Sequence, residues 1–159
     1  MDCNFYVGII GSRDCDKEFA EIAYQTGRLI ALEKWILVCG GMGGIMEYAC
    51  RGASENNGIS IGILPVNSRK SGNPYLTYSI VTGLGEARNS IVVKSCDAVI
   101  AISGSYGTLS EIAFANLYNI PVVSINSWDE GIKDNKGIKL AVYNAESPEA
   151  AAKYIKNLL

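Results

Sequence analysis

The sequence predicts an α/β fold: a three-layer, doubly wound and mostly parallel sheet in one Rossmann-like domain spanning residues 1–159. Three observations predict it. Short apolar runs alternate with segments of helical spacing along the whole chain. Most of those runs are continuously apolar, as strands covered on both faces are. Glycine-rich turns stand where strand gives way to helix, as doubly wound sheets require. A 48% apolar content and 17 glycines fit such a domain.

Phe5–Ile10 reads as a first buried strand. Asp14 or Asp16 then caps a helix to about Glu33, whose Phe19, Ile22, Ala23, Leu29 and Ile30 share one face. Trp35–Cys39 is a second strand, and Gly40–Gly44 turns it into a helix that Asn57-Gly58 stops. Ile59–Leu64 is the third strand. The polar loop from Asn67 to Tyr75 has the length of a lid or rim. Tyr78–Val81 is a short strand, after which Thr82 or Gly83 leads into a helix carrying Glu86, Arg88 and Asn89. Asp97–Ile102 and Pro121–Ile125 are strands separated by a helix ending near Asn119. Ser127–Lys136 reads as a surface loop and Leu140–Tyr143 as a marginal strand. Ser147, Pro148 and Glu149 form the N-cap, N1 and acidic first turn of a final helix to Leu158.

Composition excludes several classes of function. Net charge is -2, with no basic stripe, so a phosphate-tracking nucleic-acid surface is not expected. No apolar run approaches the roughly 20 residues needed to span a bilayer, so no membrane partner is expected and the protein reads as cytoplasmic. The five cysteines (3, 15, 39, 50 and 96) form no C-x-x-C pair, which argues against a zinc cage or a disulfide framework. Histidine is absent, which removes Ser-His-Asp and Cys-His chemistry and imidazole ligation; no metal site is expected. Any acid–base work falls to carboxylates, Lys, Tyr or Cys. There is no G-x-x-x-x-G-K-[ST] loop. Gly41 and Gly43 are followed by Met46 where a dinucleotide fingerprint needs Gly or Ala. Gly58-Ile-Ser60-Ile-Gly62 matches G-x-S-x-G, but inside a strand and with no histidine to activate the serine.

The chemistry concentrates at the strand-to-helix loops. In a parallel sheet with right-handed crossovers these all lie on one edge. That convergence gathers Gly11, Ser12 and Arg13, then Gly40, Gly41, Gly43 and Gly44, then Ser103, Gly104, Ser105, Gly107 and Thr108. Helix N-termini and small residues there suit a phosphate; tight packing alone is the competing explanation for the glycines. Arg88 is positioned to face the same rim, where a guanidinium clamps a phosphate or is simply solvated. Glu111, one turn beyond the last loop, either hydrogen-bonds a ribose hydroxyl or assists glycosidic cleavage. Composition and spacing leave both open.

Cys39-Gly-Gly-Met-Gly-Gly-Ile-Met46 resembles the G-G-G-x-x-G-L-M loop of the LOG-type, "lysine decarboxylase-like" Rossmann superfamily (SLOG). Ser103-Gly-Ser-Tyr-Gly-Thr-Leu-Ser-Glu111 is similar to its P-G-G-x-G-T-x-x-E motif, and Glu86-Ala-Arg88-Asn89 falls where the family carries arginine followed by lysine. Characterised LOG-type members are phosphoribohydrolases of nucleoside 5'-monophosphates, not lysine decarboxylases. The resemblance therefore implies Arg88 and Glu111 as catalytic candidates, if the protein is an enzyme, and the glycine loops as phosphate binders. The chain departs from the pattern at Cys39, Asn89, Ser103 and Ser105. With Gly72-Asn-Pro-Tyr75, those departures are closer to a small prokaryotic branch similar to the molybdenum cofactor carrier proteins. The expected function is thus binding of a phosphorylated nucleotide-like or molybdopterin-like ligand, with phosphoribohydrolase activity as the alternative. The expectation is that no cofactor is required and that a nucleotide monophosphate or the molybdenum cofactor can be bound. The resemblance also implies a homodimer or homotetramer.

Overall fold

A computed structural model describes residues 5–128, 131–133, 135–137 and 139–158. Seven strands form one sheet in the order β4-β3-β2-β1-β5-β6-β7. They are β1 (Tyr6–Gly11), β2 (Ile36–Cys39), β3 (Ile59–Leu64), β4 (Tyr78–Val81), β5 (Ala98–Ile102), β6 (Val122–Ile125) and β7 (Tyr143–Asn144). Every pairing between these strands is parallel. The central strands are apolar throughout because both their faces are covered; all five residues of β5 are buried.

Helices α1 (Lys17–Leu32), α2 (Ile45–Ser54) and α5 (Pro148–Lys156) close one face of the sheet around Ile30, Ala49 and Ile155. Helices α3 (Asn89–Lys94) and α4 (Tyr106–Leu117) close the other around Val92, Val93, Ile112 and Ala115. The three-layer expectation holds. Asp16 caps α1 by accepting from the Phe19 amide at 3.0 Å, and Ser147 caps α5 by accepting from Ala150 at 3.2 Å.

Helices α1 and α2 touch backbone to backbone. A Cβ on Gly27 would lie 1.9 Å from the Ala49 carbonyl oxygen, and one on Gly52 would lie 2.0 Å from that of Tyr24. Replacing glycine by alanine in an exposed helix interior usually stabilises it. Here the sign reverses: Gly27→Ala forces the helices apart and is expected to cost about 1–3 kcal/mol in urea unfolding.

Two elements differ from expectation. The last strand is Tyr143–Asn144, not Leu140–Tyr143, since β6 offers Val123 and Ser124 as the register partners. The helix expected from Thr82 or Gly83 begins later, as a 3-10 turn at Gly85–Arg88 followed by α3, because Gly83 and Gly85 hold left-handed backbone with φ of 65° and 56°. The G-x-S-x-G match is structural, as expected: Ser60 is buried in β3 and its hydroxyl donates to the Tyr75 carbonyl at 3.2 Å. Cys3 and part of the loop expected at Ser127–Lys136 lie outside the described residues.

Candidate functional site

Strand β1 sits beside β5, yet the chain leaves β1 toward α1 on one face and β5 toward α4 on the other. A crevice opens where those two exits diverge, the place where doubly wound sheets hold ligands. The cleft there has a volume of about 350 Å³. Gly11, Ser12, Arg13 and Asp14 line one wall; Ser105, Gly107, Thr108 and Glu111 line the other. Glu86, Arg88 and Asn89 close it from the 3-10 turn and α3, and Met46 comes from α2.

Its floor is a buried arginine–carboxyl pair. Arg88 is only 3% exposed, and its Nη1 lies 3.7 Å from Glu111 Oε1. The same nitrogen donates to Asn89 Oδ1 at 3.1 Å, while Asn89 in turn donates to the Ser110 hydroxyl at 2.9 Å. Arg88 Nε is buried and has no hydrogen-bond partner among the described residues. A buried guanidinium with an idle donor is costly. Burial pushes the Glu111 carboxyl up to about 8, against the opposing pull of Arg88. Burial therefore favours a protonated carboxyl beside the arginine's charge. Burial also weakens the Arg88 guanidinium's hold on its proton.

Above this floor stands the N-terminus of α4, whose N-cap residue Ser105 makes no side-chain capping bond. A Cβ on Gly107 would meet nothing within 4 Å, and its backbone is not left-handed. Neither packing nor conformation demands glycine at that position; it keeps the cleft wall bare. At the mouth, Arg13 Nη2 and Glu86 Oε1 form a 2.7 Å ion pair.

Gly11, Ser12, Arg13, Arg88, Ser105, Gly107, Thr108 and Glu111 thus share one cleft. The loop Gly40–Gly44 does not line it but supports it from behind. Gly40 lies against the Arg88 guanidinium, where a Cβ would approach Nη1 and Nη2 to 2.5 Å. Gly44 is left-handed at φ 63° and packs on the Arg13 and Ser12 carbonyls, and Ile45 N–H donates to Ser12 O at 3.0 Å. Gly41 N–H donates to Cys39 Sγ at 3.3 Å, and that sulfur is 3.6 Å from Cys50 Sγ. The hydrogen bond with Cys50 and burial hold the Cys39 thiol well above its ordinary value. The polar loop Asn67–Tyr75 also packs on this support, with Asn73 donating to Met42 O at 3.1 Å. Ser103 and Gly104 face a separate shallow hollow with Asn126, Ser127 and Trp128.

Glu86, Asn89, Asp14 and Met46 also line the cleft. Glu86 and Asn89 were legible as neighbours of Arg88 within one turn. Asp14 reads from sequence as an alternative helix cap, a role that Asp16 takes. Among the described residues there is no group of three or more His, Cys, Asp or Glu side chains placed to hold a metal, and no helix long and apolar enough to cross a membrane.

A family model described as the SLOG cluster4 family matches residues 4–152. The chain belongs to that family. This SLOG cluster4 chain is 44% identical over 109 residues to an uncharacterized protein of Archaeoglobus fulgidus, covering 69% of this chain and 72% of that one. It is similar to the molybdenum cofactor binding protein of Rippkaea orientalis, with 37% identity, 99% of both chains covered and a TM-score of 0.91. It is also similar to the molybdenum cofactor carrier protein of Chlamydomonas reinhardtii, at 31% identity, 98% of both chains and a TM-score of 0.85.

Proposed function

We propose that this SLOG cluster4 protein is a binding protein for a phosphorylated small molecule, molybdopterin-like or nucleotide-like, seated at the β1–β5 crevice. The observation that carries this is the buried Arg88, whose Nε has no partner among the described residues and lies beneath a helix N-terminus without a side-chain cap and a bare Gly107. A phosphate reaching that point accepts from the guanidinium and from the first amides of α4 together. Arg13 and the Ser12 hydroxyl stand beside it at the mouth. The likeness to two molybdenum cofactor proteins supports the ligand class. The cleft residues offer a grip for the phosphate of such a cofactor, and among the described residues there is no ligand cage for its metal. The cofactor is cargo in this reading and supplies no chemistry here.

Binding and cleavage differ in what they ask of Glu111. Stabilising an oxocarbenium ion needs a carboxylate anion. A carboxyl whose proton is held by burial donates a hydrogen bond to a phosphate or hydroxyl oxygen. The same state serves a general acid that protonates a leaving base, so base release is the measurement that separates the two readings. Release of free base from a panel of nucleoside 5'-monophosphates, abolished by Glu111→Gln, would overturn the binding reading in favour of the phosphoribohydrolase.

The direct test is titration of the protein with molybdopterin and with the same monophosphates. Gly107→Val is expected to weaken binding at least about tenfold while leaving the fold intact, since the new side chain projects into the empty cleft and valine is no worse than glycine in a helix. Unchanged affinity would remove the cleft from the ligand site. In this reading the protein works in the cytoplasm, where thiols such as those of Cys39 and Cys50 stay reduced. It assembles as a homodimer or homotetramer, which light scattering of the purified protein measures.

A further inference from the structure

We propose that Glu86 is the resident anion of this cleft: its carboxylate holds Arg13 in the position a ligand phosphate takes and is displaced when the phosphate arrives. The inference rests on the binding site proposed above and adds a residue that sets which anions enter it.

Arg13 and Glu86 stand 73 residues apart in sequence and meet only because β1 and the 3-10 turn before α3 reach the same crevice. The two side chains are 49% and 66% exposed, so their 2.7 Å bridge spans the open mouth and not the core. Glu86 lies two residues before Arg88, and its charge acts on both Arg88 and Glu111. A carboxylate paired with Arg13 and close enough for its charge to act on Arg88, in a cleft suited to phosphate, resembles a phosphate in charge and in carrying paired oxygens.

The strength of the bridge decides whether it is a lock or a placeholder. An exposed ion pair contributes about 0–1 kcal/mol. Its rupture is therefore a small cost for a phosphate monoester, which carries close to two charges at neutral pH. A singly charged phosphodiester or chloride gains less from Arg13 and still faces the repulsion of Glu86. The pair thus keeps Arg13 aimed into the cleft when the cleft is empty and favours monoesters over diesters.

The test measures affinity for inorganic phosphate at pH 7.5 by calorimetry in wild type, Glu86→Gln, Arg13→Ala and the double variant. Removing Glu86 is expected to tighten phosphate binding about fivefold in wild type and by less than about twofold in the Arg13→Ala background. It is also expected to narrow the preference for methyl phosphate over dimethyl phosphate. Glu55→Gln, a surface change outside the cleft, is expected to leave affinity unchanged and controls for net charge. Equal gains in both backgrounds would mean simple repulsion and would overturn the exchange, as would no gain, with wild-type phosphate binding intact in either case. Failure of every variant and of wild type to bind phosphate would overturn the cleft itself. Glu86→Ser repeats the measurement should the glutamine variant fold poorly.

Discussion

Arg88→Met is expected to lower affinity for a phosphorylated ligand by about 100-fold, equivalent to about 2.7 kcal/mol, because it removes the buried cation on the floor of the proposed phosphate cleft. The same change is expected to leave stability unimpaired. Methionine fills most of the space of the arginine stem while deleting a buried charge and the orphaned Nε. The usual cost of breaking a buried ion pair is the charge left behind. Here that cost is reduced, because burial favours the protonated form of Glu111, which loses a neighbour without leaving a full charge stranded. Urea unfolding and ligand titration of one preparation read both quantities. A large loss of stability would mark Arg88 as a clamp of the fold; unchanged affinity would remove it from the site.

Glu111 carries the second expectation, a dependence on pH. Its folded value of about 8 stands above its ordinary 4.5. Below about 4.5 the carboxyl holds its proton in both states and contributes no pH dependence. Between 4.5 and 8 the folded protein keeps a proton that the unfolded chain has released, so stability falls as pH rises through that window and levels off above it. The slope cannot exceed about 1.4 kcal/mol per pH unit, and the whole effect is on the order of a few kcal/mol. Relative to Glu111→Gln, which has no proton to lose, wild type is expected to lose stability between pH 5 and pH 9. Parallel profiles would show an unshifted carboxyl. Phosphate affinity follows the same sign. Ionisation of Glu111 neutralises Arg88 and adds repulsion to that of Glu86 and Asp14 at the mouth. Binding is therefore expected to weaken as pH rises past 8 in wild type and to weaken less in Glu111→Gln.

A single arrangement underlies both expectations. Arg88 is charged, buried and short of one partner, and the acid beside it is held neutral. That state is poor for the empty protein and good for an arriving anion. It also explains why the glycines fall into two kinds. Gly40 and Gly44 are required by the chain itself, one beneath the Arg88 guanidinium and the other in a left-handed turn against the loop that carries Arg13. Gly107 is required by nothing in the chain, so a substitution there tests the ligand and not the fold.

By itself the sequence determined the alternation of strand and helix, the single-sheet architecture, and the candidacy of Arg88, Glu111 and the loops at 11–13 and 103–108. These are local signals, written in apolar periods and small-residue turns a few residues long. The tertiary structure alone decided which candidates meet. The order β4-β3-β2-β1-β5 sets the exit of β1 beside that of β5 and brings the 3-10 turn after β4 back across the sheet. That crossover buries Arg88 against Glu111, pairs Arg13 with Glu86, and puts Gly40–Gly44 behind the cleft and not within it. Burial, which sets the charge of Glu111, is a property of the packed layers on both sides of the sheet, and no stretch of sequence around residue 111 contains it.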